Sequence, residues 1–372
     1  MAKRANGEGT VVRRQDGRWM AAVVVSGRRK FVYGRTRDEV YRKLTSAVKA
    51  RQDGAVLPSG RETLRTYLTS WLAGAEGSVR PSTLEKYRRD LEHHVLPGLG
   101  TVPLVRLGPQ HLQRRYGELI ASGLSPTSVR HVHAALHRAL GQAVRWGLLT
   151  RNVADLVALP QMSRTPWRVL NGAEVRQLIA AAATDRLEAV FVLACTSGMR
   201  RGEVLALRWR DVDLERGTLA VTGSLQRGPG GLTISEPKTA RSRRLVALST
   251  LAVDALRRRQ VRQVDERSLA GSMWQERDLV FTSAVGGPIE PGNLLRRSFW
   301  PLLERAGLPH VRFHDLRHTA ATLMLSRGVH PKVASELLGH ATVGITLDLY
   351  SHVSESMQRE AARAMDDILK PD

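Results

Sequence analysis

Thr196-Ser197-Gly198-Met199-Arg200-Arg201-Gly202-Glu203 breaks an apolar helical run, Val190 to Ala194, and starts a second helix. Arg200 falls near that helix's N-terminus, an environment suited to anions. Further polar interruptions lie downstream. His314-Asp315-Leu316-Arg317-His318 places His314 and Arg317 three apart, on one helical face. Leu338-Gly339-His340 closes a short helix, and Gly339 suits its C-terminal turn. Asp348-Leu349-Tyr350-Ser351-His352 comes ten residues later. Lys238 stands at the tip of a predicted hairpin, Glu236-Pro237-Lys238-Thr239 ahead of Arg243-Arg244. It is one of only three lysines after residue 165, beside Lys332 and Lys370.

Arginine, lysine, histidine and tyrosine together suit a phosphodiester. Two guanidiniums clamp the nonbridging oxygens bidentately and offset charge in a pentacoordinate transition state. A tyrosine supplies an oxygen nucleophile, a histidine takes its proton, and a lysine protonates the departing sugar oxygen. Such chemistry needs no metal, which agrees with the absence of a carboxylate cluster.

Around these motifs the segment from about 167 to 372 reads as mostly helical with a strand-rich insert. Thr218–Thr222, Leu232–Glu236 and Arg244–Leu248 are short strand-like runs separated by Gly, Pro and polar turns. Cys195 lies in the apolar run, so burial is expected rather than reactivity. Residues 61–160 read as helices only. Ser82-Thr83-Leu84-Glu85 predicts a capping box, opening a helix with Leu84, Tyr87, Leu91 and Val95 on one face and ending at Pro97-Gly98. Pro109 opens a helix to about Ser122. Ser125-Pro126 is an N-cap with proline at N1, for a helix reaching Trp146-Gly147. Lys86, Arg88, Arg89, Arg130 and Arg138 give these helices basic faces, and His131, His133 and His137 are read as solvated or DNA-facing. Pro160 to Pro166 is expected to be an exposed linker.

The first segment has period-two texture: Thr10–Arg14, the Asp16-Gly17 turn, Trp19–Val25, Ser26-Gly27, then Arg28–Tyr33. Asp38 is expected to cap a helix to about Gln52. Arg13, Arg14, Arg18, Arg28, Arg29 and Lys30 crowd this small sheet, and strands can enter a major groove. The expected architecture is multidomain α+β. It comprises a three-stranded sheet plus helix (1–58), an all-α bundle (61–160) and a mainly α domain with a small β-sheet (167–372).

Composition bounds the partner. The chain has 372 residues, with 57 Lys plus Arg against 35 Asp plus Glu, a formal charge of +22. The excess is +9 in residues 1–60, +7 in 61–165 and +6 in 166–372. A polyanion is the expected partner, because each neutralised phosphate releases a condensed counterion. An anionic membrane would demand a long Lys-rich amphipathic helix near a terminus, and none is apparent. Trp19 to Val25, seven apolar residues, falls far short of the roughly 18 that span a bilayer. Lys3 and Arg4 are not followed by the apolar stretch of a signal peptide. A single cysteine forbids an intrachain disulfide and a cysteine-cluster zinc site. A soluble, cytoplasmic protein, nucleoid-associated when bound to DNA, is expected.

At the residues quoted above the chain resembles the tyrosine recombinase (phage integrase) family. Arg200 looks like the family's first catalytic arginine, with Glu203 like its supporting acidic residue. Lys238 in Glu-Pro-Lys-Thr-Ala-Arg-Ser-Arg-Arg resembles the hairpin lysine. His314-Asp315-Leu316-Arg317 matches the His-x-x-Arg box, His340 the second histidine, and Tyr350 the nucleophile. Ser197 stands where threonine is more usual. Residues 61–160 look like the helical core-binding (SAM-like) domain, and 1–58 like the arm-binding domain of integrases from temperate phages and integrative elements. The resemblance implies that Tyr350 attacks the scissile phosphate, leaving a 3′-phosphotyrosyl link and a free 5′-hydroxyl. Two sequential exchanges then pass through a Holliday junction, with neither ATP nor metal. It implies a tetramer on two DNA sites. The last helix, with Met357, Ala361, Ala364 and Ile368 as an apolar stripe, is either intrachain core or, as the resemblance implies and as is favoured here, a peg docking on a neighbour. A host DNA-bending protein and an excisionase are candidate partners, on which the residues themselves are silent.

Two rivals remain. His314 and His318 are four apart, like the zinc-binding His-Glu-x-x-His helix, and His340 would be a third ligand of a metallohydrolase. There Asp315 replaces the glutamate, and Arg317 sits among the ligands and repels metal. The other rival is a DNA-binding regulator with an idle C-terminal domain, against which the complete Arg–Lys–His–Arg–His–Tyr set argues.

Overall fold

The computed structural model describes residues 10–25, 28–52, 62–162, 168–228, 230–236 and 243–339, with Thr342, Gly344, Leu347 and Asp366. By their contacts the residues divide into two compact units, Met1–Arg164 and Thr165–Asp372. Among the described residues no helix is long and apolar enough to cross a membrane.

The first unit begins with β1 (Thr10–Arg13), β2 (Trp19–Val25) and β3 (Arg28–Gly34), an antiparallel sheet in sequence order. Gly17, at φ 80°, makes the first reversal, a left-handed conformation that glycine adopts without a Cβ clash. Helix α1 (Arg37–Gln52) seats Val40 and Leu44 on the face bearing Ala21, with Val11, Trp19 and Val32 packed around them. Its cap is not Asp38. Thr36 Oγ1 accepts from the Glu39 amide at 3.2 Å, and Glu39 Oε2 accepts from the Arg35 amide at 2.9 Å. These two bonds start the helix earlier and leave Asp38 in the first turn, where its charge favours the helix dipole.

Helices α2 (Leu64–Gly74), α3 (Pro81–His94), the short α4 (Leu96–Leu99), α5 (Pro109–Ala121) and α6 (Pro126–Arg145) form a second core in this unit. Leu64, Leu68, Leu91, Leu112, Leu136 and Leu140 are buried in it. The Tyr67 hydroxyl reaches the Ala139 carbonyl at 2.5 Å, fixing α2 on α6. Ser125 caps α6 through the Ser128 amide, as its sequence predicts. Ser82 does not cap α3. The helix already begins at Pro81, whose fixed φ suits the first helical position, so Ser82 lies inside the first turn. His133 and His137 are not simply solvated: Nδ1 of His133 meets the Tyr116 hydroxyl at 3.2 Å, and Nε2 of His137 meets Asp155 Oδ1 at 2.6 Å.

In the second unit α7 (Gly172–Ala182), α10 (Thr250–Ala270) and α13 (Phe313–Ser326) pack around α8 (Glu188–Ser197). Ala189 through Cys195 are all buried, and an all-round apolar helix is stable only where neighbours cover every face. Burial pushes the Cys195 thiol up to about 12, an inert thiol. Helix α9 (Arg201–Leu205) follows α8 directly. Strands β4 (Val212–Asp213), β5 (Thr218–Val221) and β8 (Arg244–Ala247) form one antiparallel sheet. Strands β6 (Ser224–Gly228) and β7 (Gly231–Ser235) form a separate ribbon. Helix α11 (Pro291–Asn293) passes through a π turn, Leu294–Phe299, into α12 (Trp300–Arg305). Phe191, Phe299 and Phe313 meet with ring centroids 5.3–6.5 Å apart, each pair adding about 1 kcal/mol beyond its area. They seat the first residue of α13 against α8. Helix α14 (Pro331–Leu338) is the last of these helices.

Candidate functional site

The break between α8 and α9 is built by glycine. Gly198 caps α8 at φ 61°, and a Cβ there would run into Leu338 Cδ2. The turn leaves the Gly198 carbonyl facing α13, where it accepts from Arg317 Nη1 at 2.8 Å. Ser197 Oγ bonds back to the Leu193 carbonyl at 2.6 Å.

Arg200 is not at a vacant helix N-terminus. Its own amide donates to Glu203 Oε2 at 3.0 Å, so the anion favoured there is already supplied by Glu203. The Arg200 guanidinium donates to Glu203 Oε1 at 2.8 Å and to the Gly339 carbonyl at 2.9 Å. It is thereby aimed at the turn that leads into His340. Gly339, at φ 68°, is the left-handed cap of α14.

A third guanidinium joins them. Arg244 of β8 donates from Nη2 to Glu203 Oε2 at 3.0 Å and from Nε to the Leu337 carbonyl at 2.6 Å. The sequence reading missed it, although a signal was present. Arg244 is two residues from fully buried Val246, whereas Leu245 is 69% exposed, so strand alternation puts Arg244 on the inward face.

Electrostatically, three cations share one carboxylate. Burial alone would raise the Glu203 pKa, but hydrogen bonds from Arg244 and Arg200 outweigh it and hold the carboxyl below its ordinary range. Arg317, only 3% exposed, is pushed down to about 9 by burial and by repulsion from Arg200 and Arg244. Its Nη2 is buried with no hydrogen-bond partner among the described residues. A buried guanidinium nitrogen without an acceptor is costly, and an oxyanion would satisfy it. His314 sits beside these cations with its ring 5.0 Å from that of His318, edge-on. Partial burial, His318 and the Arg317 and Arg200 charges push its pKa down to about 4, so the imidazole is a neutral acceptor at pH 7. The same cations oppose a metal ion between His314 and His318, and among the described residues no three His, Cys, Asp or Glu are grouped to hold one.

The structure therefore brings together Arg200, Glu203, His314 and Arg317. Lys238, His340 and Tyr350 lie outside the described residues, as does the stripe of Met357, Ala361, Ala364 and Ile368. The hairpin reading for Lys238 needs correction. Its flanking strands are not partners: β7 pairs with β6, and β8 pairs with β5. The segment from 236 to 243 joins two different sheets.

The basic candidates of the first unit are more scattered. Arg13, Arg14 and Arg18 are exposed at one end of the three-stranded sheet. Arg14 lies over the Tyr33 ring, 5.7 Å from its centroid. Arg28, Arg29 and Lys30 pair in register with Val25, Val24 and Val23; their side chains lie outside the described residues. Lys86 is half-buried on α3, and Arg89 is exposed there, 3.7 Å from Asp90. On α6, Arg138 is exposed, and Arg130 is half-buried with Nη1 3.4 Å from the Pro160 carbonyl.

Residues 168–357 match the phage integrase family, and residues 63–120 match the phage integrase N-terminal SAM-like domain. An integrase of Streptomyces ambofaciens is 32% identical, the match covering 95% of this chain and 94% of that protein. Among solved structures, the Tn1549 transposon integrase in complex with a circular intermediate DNA superimposes with TM-score 0.68 at 20% identity, over 82% of this chain and 99% of that one. A lambda integrase tetramer bound to a Holliday junction gives TM-score 0.58 at 19% identity, over 93% and 96%.

Proposed function

We infer that this chain, which belongs to the phage integrase family, is a site-specific DNA recombinase that integrates and excises a mobile element through a phosphotyrosyl intermediate. The observation that carries the chemistry is the set of three guanidiniums around one carboxylate, with Arg317 Nη2 buried and lacking an acceptor. Such a site holds an excess of positive charge directed at an anion. A scissile phosphate has two nonbridging oxygens for Arg200 and Arg317 to clamp, and their donors strengthen as charge builds on those oxygens in the transition state.

Tyr350 attacks the phosphorus, forming a phosphotyrosyl ester, while the bond to the 5′ oxygen breaks. His314, neutral at pH 7, takes the phenolic proton, and Lys238 protonates the departing 5′ oxygen. His340 donates to the phosphate. Because the phosphoester is exchanged rather than hydrolysed, the 5′-hydroxyl of a partner duplex reverses the step and no energy source is needed. Neither metal nor ATP takes part. The partners are double-stranded core sites for residues 61–372 and arm sites for residues 1–58. Two exchanges require four protomers on two duplexes, with Met357, Ala361, Ala364 and Ile368 docking on a neighbour. The lambda integrase tetramer on a Holliday junction lends this assembly support by likeness of fold. A host bending protein and an excisionase complete the expected partners, in the cytoplasm.

The test is a nicked core-site duplex incubated with the protein in chelator and resolved on a denaturing gel. A protein–DNA adduct is expected, and it should vanish in Tyr350→Phe. No adduct on a site that the protein demonstrably binds would leave a binding protein. An adduct that needs added metal would return the metallohydrolase reading. Deleting residues 1–58 should abolish integration and spare core-site cleavage; unchanged integration would refute the arm-binding role.

A further inference from the structure

Arg244 ends the stretch quoted for Lys238, where it was given no role of its own, yet it closes a ring of bonds. Its side chain is 7% exposed, and Glu203, its partner, is 4% exposed. From Nε it grips the Leu337 carbonyl at 2.6 Å, and from Nη2 it grips Glu203 Oε2 at 3.0 Å. Glu203 Oε1 takes Arg200 Nη1 at 2.8 Å, and Arg200 Nη2 returns to the Gly339 carbonyl at 2.9 Å. Both arginines thus hold the last turn of α14, where helix carbonyls lack intrahelical partners and cations are favoured. The packing is close. A Cβ on Gly339 would lie 2.9 Å from Arg244 Nη1 and 3.2 Å from its Cδ.

We propose that Arg244 is a positioning residue for strand cleavage: through Glu203 it fixes the Arg200 fork, and through Leu337 it fixes the turn leading into His340. The inference rests on the recombinase reading above. Arg244 spends Nε and Nη2 on Leu337 and Glu203, whereas Arg317 keeps Nη2 without an acceptor among the described residues and the Arg200 side chain is 39% exposed. Its effect is therefore on geometry. Cutting the ring frees Arg200 and the Gly339 end of α14 to drift, and a displacement of about 1 Å costs on the order of 100-fold in rate. Ground-state affinity for DNA is spread over many other cations and is not expected to follow.

The experiment uses the full chain on a nicked core-site duplex, measuring single-turnover adduct formation and equilibrium binding to the same DNA. Arg244→Gln should cleave about 100-fold more slowly with Kd within about threefold of wild type. Glu203→Gln should behave alike. The double variant should be no slower than the slower single by more than about threefold, because both changes open one ring and their effects do not add. Where Arg244→Gln does not fold, Arg244→Lys makes the same comparison: its single nitrogen cannot occupy both donor positions of the fork. Wild-type cleavage by a folded Arg244 variant would overturn the proposal. So would losses that multiply in the double variant, or a rate loss matched by an equal loss of binding. A wild-type protein that binds the site yet forms no adduct would instead remove the recombinase reading itself.

Discussion

Gly198→Ala isolates how the break between α8 and α9 is held. Two costs arise from the structure. The residue sits at φ 61°, where a Cβ costs about 1–2 kcal/mol. That Cβ would also run into Leu338 Cδ2, and relieving such overpacking costs about 1–3 kcal/mol. Together they predict a destabilisation of about 2–5 kcal/mol. For a unit the size of residues 165–372, each kcal/mol shifts the melting point by about 2–4 °C, so a fall of about 4–20 °C is expected. Circular dichroism melts of the full chain at fixed salt make the measurement. Gly117→Ala is the control, because Gly117 lies within α5 with open space around it. Alanine there should be neutral or stabilising by up to about 1 kcal/mol. Since the Gly198 carbonyl is the acceptor for Arg317, adduct formation by Gly198→Ala should also fall at temperatures where the protein is folded. A Gly198→Ala protein melting within about 1 °C of wild type would refute the reasoning.

Three further outcomes are expected. Glu203 has its pKa held below the ordinary 4.5; it therefore adds stability above that value and loses it as pH falls through the folded pKa. Urea unfolding of Glu203→Gln should show a shallower dependence on pH below about 4.5 than wild type, and an unchanged slope would contradict the pairing. His314 has a folded pKa of about 4, below its ordinary 6.5. Its NMR titration should leave the imidazole neutral down to near pH 4, with stability declining from pH 6.5 towards 4; a midpoint near 6.5 would sink the argument for a crowded cationic site. Glu266 accepts from Arg259, which is 2% exposed, and from Arg186. Glu266→Ala strands a buried charge and should cost about 3–5 kcal/mol in urea melts, most of it regained in Arg259→Met/Glu266→Leu. Equal stability of the two variants would show that burial of Arg259 is not the cause.

What was legible in the sequence followed locality. Ser125-Pro126 set the start of α6 because cap and first-turn proline act within four residues. The order of polar motifs, from Arg200 to Arg317, named the residues that the fold assembles. Pairing was harder to read. Short runs between turn residues marked β7 and β8 as strands, but such a run does not name its partner, and β6, with Leu225 its lone apolar side chain, offered little to suggest that it intervenes. Ser82 misled because a capping box is a pattern of four residues, whereas Pro81 one position earlier already fixes the helix start. The inward arginines hid in basic runs. Arg259 follows Arg257 and Arg258, and only its spacing from buried Ala252, Ala255 and Leu256 distinguishes it. A cation on an apolar face reads as an error until a carboxylate is found within its reach, here Glu266 two turns along the same helix.

The π turn over Leu294–Phe299 fixes how the chain tolerates changes in length. Leu294 and Phe299 are both fully buried, yet residues five apart on an α-helix point about 140° away from each other. The i→i+5 bond from the Trp300 amide to the Leu295 carbonyl widens the turn and lets both side chains reach the core. Loss of one of the exposed residues Arg296 or Arg297 would leave Leu294 and Phe299 four apart, the ordinary helical spacing for a shared face. Gain of one residue would leave them six apart, which neither kind of helix aligns. This stretch should therefore absorb a single-codon deletion and reject a single-codon insertion, an asymmetry written into the helix by the one residue it already carries in excess.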